Sequence, residues 1–319
     1  MTHGDLLLSA ASAANREVLL VAPFAKAVVI ERILGVLPIG VPVSIYTRWR
    51  PLEVASGVSD LEVFDLAERR SHTALYLCDT LHAKYYRCDD CVLLGSANLT
   101  QKGLGWAAQS NLELLIEVPW STELSRDFER RLSRESIPAN RELQSLVRVA
   151  ALALPQQQQP ETTVSQATAS SIADDEWLPL TRRPEVLFRA YVGEHAELTT
   201  ALWGQASTDL ARLRIPGSLD KTTFLLMVRA SLLQRPIVVA IDSFVRTPRR
   251  FGEVRELLSK HLKEVASTRD PTEAWQTTLR WLMYFFPDRY RVVAGTFSEV
   301  ISHRTGEDLP PRTRRTSDT

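Results

Sequence analysis

Several features are scarce in this chain of 319 residues. No window of 18 or more residues is continuously apolar, so no membrane-spanning helix is expected. The opening MTHGDLLLSAASAANREVLL has no basic stretch followed by a long apolar run, so no secretory signal is expected either. Cysteine is rare. Cys78, Cys88 and Cys91 are odd in number and close together, a poor disulfide framework that fits a reducing cytoplasm better. An excess of charge is also missing, with 38 basic and 38 acidic residues. Bulk electrostatics therefore do not point to nucleic acid or to an anionic membrane, although a local basic groove stays open. No internal repeat is evident.

Apolar residues are plentiful, at 45% of the chain, which at this length implies two domains rather than one. Residues 1–150 alternate between two periodicities. EVLLVAPF (17–24), PVSIYTRW (42–49), ALYLCDT (74–80), LHAKYYRC (81–88), CVLLGSAN (91–98) and NLELLIEV (111–118) read as strands. Residues 25–37, 59–70 and 121–132 read as helices, the last from a Ser or Thr cap. This order predicts an α/β sandwich around a mixed sheet. Residues 151–176, rich in Gln, Ser, Thr and Pro, read as a flexible linker. Residues 177–302 read as a mainly helical domain that binds a partner protein or DNA, with RPIVVAIDSFV open to a strand reading. The polar end, 303–319, reads as a disordered tail.

The chemistry concentrates in residues 82–98, HAKYYRCDDCVLLGSAN. His82, Lys84 and Asp89 form H-x-K-x4-D, and Gly95-Ser96-Ala97-Asn98 comes next. In strands, His82 and Lys84 share one face, as do Ser96 and Asn98. A three-residue hairpin loop, Asp89-Asp90-Cys91, would pair Cys88 with Val92, Lys84 with Ser96 and His82 with Asn98. Four polar side chains would then meet on one face. An imidazole nucleophile, an ammonium, a hydroxyl and an amide are what a phosphodiester needs.

The segment resembles the phospholipase D superfamily, whose signature is H-x-K-x4-D-x6-G-S/G-x-N. The resemblance is specific over residues 82–105, including NLTQKGLG, and extends over about 1–150. One departure exists: five residues, not six, separate Asp89 from Gly95. That puts the structural role of Asp89 in question rather than the nucleophile. The resemblance implies that His82 attacks phosphorus to form a phosphohistidine. It implies that Lys84 and Asn98 bind the phosphate with help from Ser96. Glu113 resembles the acid that orients the histidine. No metal or other cofactor is implied. Lys102 in NLTQKGLG and Arg48 at a strand end join the substrate-binding candidates, with Arg249 and Arg250 of RTPRR (246–250) and Arg255 for phosphate contacts.

The mechanism needs a second histidine to protonate the leaving oxygen. His261-x-Lys263 repeats the spacing but reads as helix, and no G-S-x-N comes after it. A single motif therefore implies a homodimer with a shared site. Rival readings exist for several residues. Cys78, His82, Cys88 and Cys91 have zinc-like spacing, against two small thiols flanking a turn. Trp49 and Trp106 suit base stacking or simple packing. His72 reads as a loop residue. The tail arginines 312, 314 and 315 suit nonspecific affinity.

A single motif joined to a separate second domain resembles bacterial endonucleases. The expectation is a metal-independent, cytoplasmic nuclease acting on DNA, with antiviral defence and a protein partner in a multi-gene system as its setting. A phospholipid hydrolase or transphosphatidylase and a noncatalytic assembly subunit are the alternatives.

Overall fold

The run at 17–24 forms β1 (Val18–Val21), and each of its residues is buried, as in a strand covered on both faces. The computed structural model describes residues 2–120, 123–155, 177–194, 198–265, 267–294 and 299–304. These fall into two compact units: Met1–Asp175 with Ser218–Pro236, and Glu176–Gly217 with Ile237–Thr319.

In the first unit, α1 (His3–Ala13) starts at a capping box in which Thr2 and Asp5 satisfy each other's backbone amides. Then come β1, α2 (Ala27–Val36), β2 (Val43–Thr47), α3 (Pro51–Ala55) and α4 (Val63–Arg69). Pro51 opens α3, where its missing N–H costs nothing. Next are β3 (Thr73–Leu77), β4 (Tyr85–Cys88), β5 (Cys91–Gly95), β6 (Leu115–Pro119), α5 (Glu123–Glu135), β7 (Ile137–Pro138) and α6 (Arg141–Leu152). Seven strands join in the order β6-β5-β4-β1-β2-β3-β7. β1, β2 and β3 are parallel, and the other pairings are antiparallel, so the sheet is mixed. One face packs Leu19, Val21, Tyr46, Tyr85 and Val92 with Leu132 and Phe128 of α5.

The sequence pattern does not announce α1 or α6. Residues 151–155 include the end of α6, and the rest of the expected linker lies outside the described residues. So do the expected cap of α5 at 121–122 and the tail from 305 on.

The second unit holds α7 (Leu187–Tyr191) and α8 (Thr200–Leu213). α9 (Lys221–Leu232), by contrast, belongs to the first unit. There Thr223 Oγ1 donates to Ala153 O at 3.5 Å and Gln234 Nε2 to Trp49 O at 3.1 Å. This corrects the expected boundary, which puts the segment in the second domain. The second unit resumes with α10 (Pro236–Phe244), β8 (Arg249–Arg250), α11 (Phe251–Glu264), α12 (Pro271–Phe285), β9 (Tyr290–Ala294) and β10 (Glu299–His303). RPIVVAIDSFV is thus helix rather than strand. The part is mainly helical, with a three-stranded sheet that the sequence pattern does not reveal. No single described helix is long and apolar enough to cross a membrane.

Candidate active site

Because β1, β2 and β3 run parallel, their carboxyl ends share one edge of the sheet. β4 opposes β1, β5 opposes β4, and β6 opposes β5. The same edge therefore collects the residues just after β1, β2, β3 and β5 and those just before β4 and β6. This is where open α/β sheets place their ligands. It gathers Arg48 and Arg50 after β2, Asp79 after β3, His82 and Lys84 before β4, Ser96 and Asn98 after β5, and Glu113 before β6.

The hairpin register differs from the expected one. β4 and β5 turn on two residues, Asp89 and Asp90, so Cys88 pairs with Cys91 and Arg87 with Val92. The pairs Lys84–Ser96 and His82–Asn98 do not form. Gly95 N–H donates to Lys84 O at 3.3 Å instead, and β4 begins only at Tyr85. The physical reason lies at the turn. Asp89 takes a left-handed φ of 53°, which Asp tolerates better than most residues. Its carboxylate accepts the N–H groups of Asn15 (2.8 Å), Arg16 (2.9 Å) and Glu17 (3.0 Å), which pins the tight turn. Asp89 therefore sits at the opposite end of β4 from His82 and is occupied with backbone.

At the site edge, His82 is exposed, and no described residue hydrogen-bonds its ring. Lys84 is partly buried and donates from Nζ to His82 O at 2.8 Å. The Lys84 ammonium, burial, and then Arg48 and Arg50 hold the His82 imidazole below its ordinary pKa. Burial and Arg48 lower the Lys84 ammonium too, against a pull upward from Glu113.

Gly95 is required by packing: a Cβ there would lie 1.8 Å from Leu114 O. The close approach lets Ser96 N–H donate to Leu114 O at 2.9 Å, and Leu114 N–H to Ser96 Oγ at 3.0 Å. Ser96 Oγ donates in turn to the Glu113 carboxylate, which also accepts Asn111 Nδ2 at 3.0 Å. Glu113 thus orients Ser96, and no hydrogen bond joins it to the His82 ring among the described residues. Asn98 Oδ1 is buried without a hydrogen-bond partner. Buried amides normally find one. No described residue accepts from its Nδ2, so the N–H end of the amide is open to an arriving oxygen.

Arg48 is not open to substrate. It is 6% exposed and spends its donors on Glu53 (2.9 and 2.5 Å) and Leu81 O (2.7 Å). Its influence on His82 and Lys84 is through charge. Arg50, not among the residues expected from sequence, lies nearer the surface and bonds Asp79 Oδ1 at 2.9 Å. The signal for it is Arg48-Trp49-Arg50, two arginines flanking the end of one strand. Lys102 is exposed, on the loop after Asn98.

Trp49 is fully buried against Phe64, and so unavailable to bases. Trp106 packs on Gly4 and carries Arg32 4.0 Å above its ring. The zinc set is not assembled, because Cys88 and Cys91 lie at the far end of β4 from His82 and Cys78 is in the core. Burial pushes the Cys88 thiol up to about 12, which disfavours a thiolate ligand. His261 and Lys263 lie on α11, as expected of a helix. Arg249 donates to Phe244 O at 3.1 Å, while Arg250 is exposed.

No family model matches the chain, and no curated protein matches it. Among solved structures, the chain is similar to NucT from Helicobacter pylori, with TM-score 0.34 and 18% identity over 42% of this chain and 89% of that one. It is also similar to TrmBL2, an archaeal chromatin protein whose structure is described as showing a novel mode of DNA binding. There the TM-score is 0.29 and the identity 16%, over 41% of this chain and 46% of that one.

Proposed function

We propose that the chain is a phospholipase D-like phosphodiesterase that cuts nucleic acid, DNA being the expected substrate. One observation carries this reading: a single sheet edge gathers the exposed imidazole of His82 with Lys84, Ser96 and Asn98. Lys84, burial, Arg48 and Arg50 lower the His82 imidazole, which favours the ring with its lone pair free, and the same cations suit a phosphate's oxygens. A nitrogen of His82 attacks phosphorus, and the P–N bond forms as the bond to the leaving oxygen breaks. Lys84 and the Asn98 amide hold the nonbridging oxygens, with the Ser96 hydroxyl beside them. Water then displaces the histidine, the P–N bond breaks, and the water's proton goes to the group that protonated the leaving oxygen.

The leaving oxygen needs a proton, and the first unit offers no second H-x-K. We assign that proton to His82 of a second copy, which carries it as the imidazolium while the attacking ring is neutral. β6 is an edge strand, and its approach exposes Leu112, Leu114 and Ile116 at 103%, 64% and 49%. Alternate residues share a face, so these three make an apolar row suited to another copy.

The test uses plasmid, single-stranded DNA and RNA in EDTA, with wild type beside His82→Ala. Cleavage by wild type alone is expected. Cleavage that persists in the variant, or that requires magnesium, overturns the mechanism. Release of phosphatidate from vesicles with plasmid left intact replaces nucleic acid by lipid. Full activity from a strict monomer in sedimentation sinks the shared site.

A further inference from the structure

In the second unit, α10, β8, α11, α12, β9 and β10 succeed one another along the chain. The three strands form an antiparallel sheet in the order β8-β10-β9, so the last strand lies between the other two. Helix, strand, two helices and a hairpin whose return strand takes the centre follow the element and strand order of a winged helix-turn-helix. Asp242 of α10 ties the ends of the motif together. Its carboxylate accepts Arg289 (2.7 and 2.6 Å) and the Tyr290 hydroxyl (2.6 Å), and lies 3.0 Å from His303 Nε2.

A fold alone does not name a ligand. The surface chemistry is more specific. α12 buries Trp275, Thr278, Trp281, Leu282 and Phe285 on one side. Gln276, Arg280 and Tyr284, spaced four apart, form an exposed stripe on the other. Glu273 beside them is neutralised by Arg182 at 2.7 Å. Cross-strand partners share a face, and Ile301 and Tyr290 fill the core face of the small sheet. Arg250, opposite Val300, therefore lies on the outer face. Arg246 and Arg250 are exposed, and among the described residues neither they nor Arg280 has a carboxylate partner. Residues 237–304 hold eleven Lys and Arg against eight Asp and Glu, in a chain that is neutral as a whole.

We infer that this motif is a duplex-DNA binding surface. α12 enters the major groove, where Gln276 and Arg280 reach base edges, Arg matching guanine and Gln matching adenine. Arg246 and Arg250 at the foot of α11 hold phosphates. This goes beyond the phosphodiesterase reading and stands without it.

The full chain with His82→Ala, which leaves DNA uncut on that reading, is titrated into a labelled 20-base-pair duplex across a salt series. Adding Arg280→Ala should weaken binding about tenfold. Adding Arg246→Ala and Arg250→Ala should lower the slope of log affinity against log salt by about two. All three arginines are exposed, so an unchanged melting temperature controls for folding. Affinity and slope equal to the parent's in both variants overturn the proposal, as does a parent that binds no duplex. Hydrolysis of bis(p-nitrophenyl) phosphate by wild type reads His82 separately. Its absence, with duplex binding lost in Arg280→Ala, sinks the catalytic reading and leaves this one.

Discussion

The two ends of β4 carry the two halves of one sequence pattern and are built on opposite terms. At its start, His82 is exposed with an unbonded ring, Lys84 is half-buried, and the Asn98 amide is orphaned nearby in the fold. At its end, Asp89 takes three backbone amides, and Arg87 is clamped by Glu129 and Glu17 at 2.7 Å each. One end holds polar groups short of partners, and the other saturates them. Groups left short of partners at a loop edge are available to a ligand, whereas saturated groups hold the strand in place.

Mutation should separate the two ends. His82→Ala should lower phosphodiester cleavage by about 10^3-fold or more. Because His82 is exposed, stability should stay within about 0.5 kcal/mol of wild type. Single-turnover kinetics and urea unfolding measure the two sides, and a variant that loses stability instead of rate breaks the comparison. At the far end the effect should invert. Arg87→Met leaves Glu129, 16% exposed, without its cation. Breaking a buried pair from one side costs about 3–5 kcal/mol. Tyr85 and Trp120 still donate to Glu129, which places the cost toward the lower figure. Unfolding within about 0.5 kcal/mol of wild type would show that the far end is less saturated than its geometry implies.

The same contrast explains which features are legible in the sequence. His82, Lys84, Ser96, Asn98 and Glu113 are legible because their types and spacing are chemical, and one sheet edge does collect them. The mixed sheet is legible because each strand is a short apolar run with clear breaks. The turn is not. Two-residue and three-residue loops at Asp89-Asp90-Cys91 differ only in whether Asp89 accepts a left-handed φ and finds amides at residues 15–17, some seventy positions away. Long-range contacts of that kind leave no local mark. Arg48 reads wrongly because its burial depends on Leu81 O, thirty-three residues on, as well as on Glu53 of α3. β8 is hidden because it is two residues between two helices, and β9 and β10 because YRVVA and EVISH mix polar with apolar residues instead of forming clean apolar runs.

Asp89→Ala tests the turn directly. It removes one acceptor from three N–H groups at a side chain 19% exposed. The cost should be about 1–3 kcal/mol, the penalty for leaving such donors unmet. Burial raises the Asp89 carboxyl, but the amides of Asn15, Glu17 and Arg16 outweigh it and hold the group below the usual carboxylate range. A carboxyl depressed in the folded state adds stability above its unfolded pKa. That increment is lost as pH falls through the folded value. Wild type and Asp89→Ala should therefore differ most near neutral pH and converge in acid. A gap that stays constant with pH would remove the carboxylate from the explanation.

The finest test lies at the start of β4 and concerns charge alone. Lys84 is the leading cause that holds the His82 imidazole down, ahead of burial, Arg48 and Arg50. A histidine protonated at its ring has no lone pair, so the acid limb of the pH–rate profile tracks its pKa. In wild type that limb should lie below the ordinary imidazole value. Lys84→Met keeps the stem and removes the charge, so the His82 pKa should rise and the limb should move to higher pH. Weaker phosphate binding would lower the rate at every pH without moving the limb, which separates the two roles of Lys84. The arginines remain in the variant, so the shift should be partial. A limb that does not move would mean that the charge around His82 serves the phosphate and not the nucleophile.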